Sequence, residues 1–162
     1  MLGPLEVVDD RGTVVAVGGS KRRDLLLRLL ISANESVPTS VLIDNVWRGE
    51  PPPGAEATLQ SHVSHLRRPL GVGRLVADAG GYRLVAERRE LVAAEFEDQV
   101  GEGRRLLESG DTVSAEAVLT AALALWHGSA LSDVADAEWA EPEAGRLEEL
   151  RLLATELLLD AS

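Results

Sequence analysis

The chain has 162 residues, 45% of them apolar, no cysteine and a formal charge of −11. That length supports one or two hydrophobic cores, and the lack of cysteine excludes a disulfide framework and any thiolate metal site. The excess of acid argues against a nucleic-acid partner only if it is spread evenly, and it is not.

In chain order, LGPLEVVDDRGTVVAVGG contains short β-rich runs parted by an Asp-Asp-Arg-Gly turn, which predicts a hairpin or small meander. Ser20 is placed to cap a helix through KRRDLLLRLLISA, with Leu25, Leu26, Leu29 and Leu30 as its buried face and Asn34 at its left-handed end. A shorter helix from a Thr39 cap buries Leu42, Ile43, Val46 and Trp47 and stops at Gly49. EPPPG then enforces a non-helical connection. A third helix contains ATLQSHVSHLRRPLG, and RLVADAGGYRLVA follows as two β-type runs joined by a tight turn. Beyond residue 92 the pattern is helix only. AAEFEDQVGEGRRLLESG ends in Ser-Gly-Asp, VSAEAVLTAALALWHG stops at Gly128, and EWAEPEAGRLEELRLLATELLLDA carries Pro142 in its first turn. Antiparallel helices with short turns and small contact residues suggest helical-repeat packing. Trp47, Trp126 and Trp139 lie on apolar faces and are expected in the cores.

Residues 1–86 hold 10 basic and 9 acidic side chains, whereas residues 87–162 hold 6 basic and 18 acidic. This asymmetry places a boundary near Ala86. Exposed charges more than a Debye length apart are largely screened, so an acidic second half does not silence a near-neutral first one. The opening residues lack the basic and apolar regions of a signal peptide. The longest uncharged apolar stretch, AVLTAALALW, is about half the roughly 20 residues of a membrane span. A soluble cytoplasmic protein with no membrane partner is expected.

The third helix carries the functional signal. At about 100° per residue, Leu59, Val63, Leu66 and Leu70 fall within about 60° of one side. Ser61, Ser64, His65 and Arg68 lie opposite, with Thr58, Gln60 and Arg67 on the flanks. Glu56 is the one acid nearby, in the first turn, where it favours the helix dipole. A helix docked in the DNA major groove needs such a narrow anchor and such a donor-rich outer face. The hairpin directly after it is placed as a wing. The plain alternative is a solvated helix face.

Other chemistries find less support. His62 and His65 lack a third ligand at useful spacing, so no metal site is expected. His62 borders the apolar stripe and reads equally as a packed histidine or a phosphate ligand. GEGRRLLESG follows no strand and is not a phosphate loop. No nucleophile–base set or paired acids emerge, so neither an enzyme nor a cofactor is expected. The acidic run from Glu138 to Glu149 is either a solvated face or a surface turned toward a polymerase.

The runs LGPLEV, KRRDLLLRLL, LIDNVW, ATLQSHVSHLRRPLG and GGYRL together resemble the winged-helix output domain of OmpR-type response regulators. More narrowly, the chain resembles the actinobacterial antibiotic regulatory proteins, which activate secondary-metabolite gene clusters. EFEDQVGEGRRLLESGD, AALALWHGSAL and RLEELRLLATE resemble the bacterial transcriptional activator domain that follows the winged helix in that family. The resemblance implies an α+β fold: a winged helix over residues 1–88, with an N-terminal β-meander, three helices and a wing hairpin. An all-α, TPR-like domain over residues 89–162 follows. It implies a recognition helix from Thr58 to Arg68, with base contact by Gln60, Ser61, Ser64 and His65. Backbone contact falls to Thr58, His62, Arg67 and Arg68, and wing contact to Arg74, Tyr82 and Arg83. The implied partners are double-stranded DNA, bound as direct repeats by two copies in the nucleoid, and RNA polymerase subunits.

The sequence departs from the family in four places, the first an N-terminus a few residues shorter than usual, which trims the first strand. His65 stands where the family usually has arginine. Pro69 removes the hydrogen bond to the His65 carbonyl and disfavours helical geometry at Arg68, which predicts a helix ending one turn early. The family's activator domain continues through further helices past TELLLDAS, so the chain reads as a truncated relative in which Leu157, Leu158 and Leu159 are partly uncovered and favour self-association. With the near-neutral first half, His65 and Pro69 also suit a protein-interaction module whose winged helix has lost useful DNA affinity. No phosphate-receiving domain is present to support aspartyl phosphorylation within this chain.

Overall fold

The structure, a computed structural model, describes residues 1–162. Two compact units are present, each discontinuous in sequence. One comprises Leu5–Ala86 with Asp133–Ala140, and the other Met1–Pro4, Glu87–Ser132 and Glu141–Ser162. The expected ranges 1–88 and 89–162 assign Met1–Pro4, Glu87, Arg88 and Asp133–Ala140 the other way.

The first unit opens with a hairpin reduced to a single bridge, Val8 to Val14. Asp9 builds its turn by accepting the Arg11 and Thr13 amides, both at 2.9 Å. Val8 and Val14 are 53% and 62% exposed, so no burial rewards a longer ladder. Helix α1 (Ser20–Ile31) follows, then β1 (Val37–Pro38), α2 (Thr39–Val46), α3 (Ala55–Leu70), β2 (Leu75–Asp78) and β3 (Gly81–Leu84). The sheet is antiparallel, with β3 between β1 and β2. Ala79 and Gly80 both have positive φ (41° and 81°), the two-residue turn that suits a twisted hairpin.

Three local expectations are corrected. Ser20 does not cap α1: extended Gly19 holds that position, and its carbonyl accepts the Arg23 amide at 3.1 Å. Thr39 does not cap α2, because its hydroxyl donates to the Gly80 carbonyl at 3.0 Å and ties the helix start to the wing turn. Helix α3 does not stop early; it runs through Pro69 to Leu70. Proline there deletes one bond in the last turn, while Gly71 N–H still closes on the Arg67 carbonyl at 3.1 Å and Leu70 packs on the core.

Strand β1 was not anticipated, since two residues give no readable alternation. Asn34, with φ of 68°, lies beyond the α1 terminus rather than at it. Its side chain donates to the Ala86 carbonyl and accepts the Ala86 amide, mimicking one more strand residue. The core gathers Leu25, Leu26, Leu29, Leu42, Val46, Leu59, Val63, Leu66, Leu75 and Leu84, with Leu30, Ile43 and Trp47 partly buried at its edge. Asp24 and Leu27 are also buried on α1.

The second unit contains α4 (Val92–Glu108), α5 (Thr112–Ala124) and α6 (Glu141–Ala161). Asp111 caps α5 by accepting the Ser114 amide; the Ser114 hydroxyl first, then this amide, holds its carboxyl below the usual range. Helix α5 ends at Ala124, ahead of Gly128. Phe96 meets Trp126 edge to face at 5.4 Å, and Arg151 lies 4.5 Å above the same indole. Leu2 is buried in this core, its carbonyl accepting the His127 amide. Leu157 packs at the core edge and Leu158 is half-buried, but Leu152 and Leu159 are 66% and 70% exposed. No helix is long and apolar enough to cross a membrane.

Candidate nucleic-acid interface

Leu59, Val63 and Leu66 are at most 1% exposed, so the apolar stripe of α3 is fully spent on anchoring the helix. Thr58, Gln60, Ser61, Ser64, His65, Arg67 and Arg68 are exposed. The structure therefore brings the base-contact candidates together on one outward face. Gln60, Ser61 and Ser64 have no side-chain partner within the protein and are free to hydrogen-bond elsewhere. The Thr58 hydroxyl donates to the Gly54 carbonyl at 3.2 Å. His65 Nδ1 lies 2.7 Å from the Ser61 carbonyl.

His62 resolves differently from its neighbours. Its ring stacks on Trp47 (centroids 6.2 Å apart, planes at 29°), and its Nδ1 is buried without a partner. Burial first, then Arg22 and His65, push its pKa down. The imidazole is thus partly a packing element, with Arg22 near enough to oppose its protonation.

The wing residues are less free. Arg74 and Arg83 are half-buried. Arg74 donates to the Val85 carbonyl at 3.4 Å, and Arg83 Nε lies 3.4 Å from Asp78 Oδ2. Tyr82 packs at the edge of the core, paired with Val37 and Ala77 across the sheet. Arg67 Nε donates to the Leu75 carbonyl at 3.1 Å, tying the end of α3 to the start of the wing.

Five of the six arginines of the helical unit, Arg88, Arg89, Arg105, Arg146 and Arg151, pair with carboxylates, and in the winged-helix unit Arg48 and Arg83 do so. Around α3, Arg22, Arg67 and Arg68 pair with none. Arg22 was missed by the sequence reading, yet a signal was there. Lys21, Arg22 and Arg23 occupy the first turn of α1, which has no acid, although cations are disfavoured at that end of the helix dipole. Lys21 there donates to the Val46 carbonyl at 3.1 Å, whereas Arg22 has no such bond, which makes it a candidate for contact outside the protein.

Comparison with known proteins is consistent along the chain. Residues 15–84 match the family described as transcriptional regulatory protein, C terminal, and residues 93–162 match the bacterial transcriptional activator domain. Regulatory protein AfsR of Streptomyces griseus is 35% identical over 99% of this chain, and regulatory protein DnrI of Streptomyces peucetius is 35% identical over 94%. The chain spans 16% and 60% of those two proteins. The structure of Mycobacterium tuberculosis EmbR, solved in complex with a low-affinity phosphopeptide, aligns with a TM-score of 0.91 at 35% identity, over 99% of this chain and 44% of EmbR. With its OmpR-type winged helix, its activator domain and these relatives, the chain belongs to the actinobacterial antibiotic regulatory protein family of transcriptional regulators.

Proposed function

We propose that this chain binds DNA sequence-specifically and activates transcription of secondary-metabolite genes. Two copies occupy direct repeats, each laying α3 in the major groove with its wing against the flank. Gln60, Ser61, Ser64 and His65 read base edges. Thr58, Arg67, Arg68 and the newly recognised Arg22 meet phosphates, with His62 beside them and Arg74, Tyr82 and Arg83 on the wing. The acidic run from Glu138 to Glu149 engages RNA polymerase subunits, and self-association uses the exposed Leu152 and Leu159 of α6. The protein acts at the nucleoid.

The observation that carries this reading is the outward face of α3, where unpartnered amide, hydroxyl and guanidinium groups gather with no neutralising carboxylate. Salt titration of duplex binding tests it. A phosphate footprint gives a log–log slope of several units. A flat slope supports the protein-interaction module instead, to which the near-neutral first half and the Arg83–Asp78 pair point.

A further inference from the structure

We infer that His65 reads its base through an exocyclic amine, cytosine N4 or adenine N6, and not through a ring N7 or a carbonyl oxygen. This rests on the DNA reading above and adds the polarity of one contact. The Ser61 carbonyl, 2.7 Å from His65 Nδ1, carries no proton, so Nδ1 must donate. A neutral imidazole has a single N–H, which leaves Nε2 with a lone pair. His65 is exposed on the outer face of α3, and Nε2 has no partner within the protein. The side chain therefore presents an acceptor outward. In the major groove only the amines of cytosine and adenine satisfy an acceptor, whereas guanine N7 and O6 and thymine O4 would oppose lone pair to lone pair. A guanidinium, which has only donors, asks for the opposite pattern at the same place.

The helix's own backbone thus decides what the residue can read. Because the bond to Ser61 spans one turn of the same helix, the tautomer is set before DNA arrives.

The test uses the full chain at pH 8, above the ordinary imidazole range. Duplexes selected from a random pool by the unaltered chain and by His65→Ala identify the base pair whose preference relaxes in the variant. At that pair, the amine is deleted (purine for adenine, or 2-pyrimidinone for cytosine), and separately N7 is removed with a 7-deaza purine. We expect amine deletion to weaken binding about 3- to 10-fold, the scale of one hydrogen bond, and the 7-deaza change to leave it within about twofold. Neither change should act through this contact in His65→Ala, which controls for the weakened base pair, and His65→Arg should shift the preference to guanine. Dependence on N7 with indifference to the amine overturns the inference, as does a variant that relaxes no position. A pool from which the unaltered chain enriches nothing removes the DNA-reading proposal itself.

Discussion

Side chains one turn apart on α3 carry different duties because their surroundings differ. Gln60 is exposed and unpartnered, so Gln60→Ala is expected to cost about 1–3 kcal/mol on the preferred duplex and to relax one base position. Competition with single-position operator variants reads this, and an equal loss on every sequence would sink the base-reading role. Arg68 and Arg22 lack carboxylate partners, so replacing either by alanine should weaken all duplexes alike and lower the salt slope by about 1. An unchanged slope removes that residue from the phosphate footprint. Arg67 is a poorer probe, because its bond to the Leu75 carbonyl makes its loss structural as well. His62 yields a pH prediction. Its folded-state pKa lies below the ordinary imidazole value because of burial, with Arg22 and His65 adding to the effect. The unfolded chain therefore takes up the proton first, and stability should decline as pH falls below about 6.5 until the folded pKa is passed. Denaturant unfolding of His62→Gln across that range should show a flatter profile.

Elements meet where side chains are smallest. A Cβ on Gly81 would stand 2.1 Å from the Val37 carbonyl oxygen, so only glycine lets β1 approach β3 there. A Cβ on Gly103 would lie 2.6 Å from Leu119 Cγ and Cδ2, and Leu119 is fully buried. Gly103→Ala is expected to destabilise the α4–α5 packing by about 1–3 kcal/mol, the usual cost of overfilling a core. A shifted denaturation midpoint with unaltered duplex binding would confirm it, and an unchanged midpoint would show that Leu119 moves aside. Much at this scale was legible in advance. The leucine spacing of α1 and α3, the Ala-Gly wing turn and the Ser-Gly-Asp break before α5 all follow from periodicity and turn chemistry. The caps were misread for one reason: Ser20 and Thr39 look like caps locally, but a neighbouring glycine and the wing turn compete for the same roles.

At the scale of the whole molecule, chain order and packing order diverge. Asp133–Ala140 follows α5 in sequence yet packs within the winged-helix unit. There Arg48 bridges buried Asp24 at 2.8 Å and Asp136 at 3.1 Å, and the Trp139 indole donates to the Asn45 carbonyl at 3.1 Å. Arg48→Ala would leave Asp24 buried without its guanidinium and is expected to cost about 1–3 kcal/mol. Adding Asp24→Leu should recover part of that loss in the same unfolding assay. If the double variant is no better than the single, the pair is not what stabilises this corner.

Local chemistry alone determined the buried helix faces, the wing hairpin and the narrow anchor of α3, because apolar periodicity and turn preference act over a few residues, while the family was legible as a resemblance of whole motifs. Tertiary structure decided which polar groups remain free. Tyr82 is drawn to the core edge, His62 onto Trp47 and Arg83 toward Asp78. Each of those commitments depends on a partner's position in space, and composition and spacing do not encode positions.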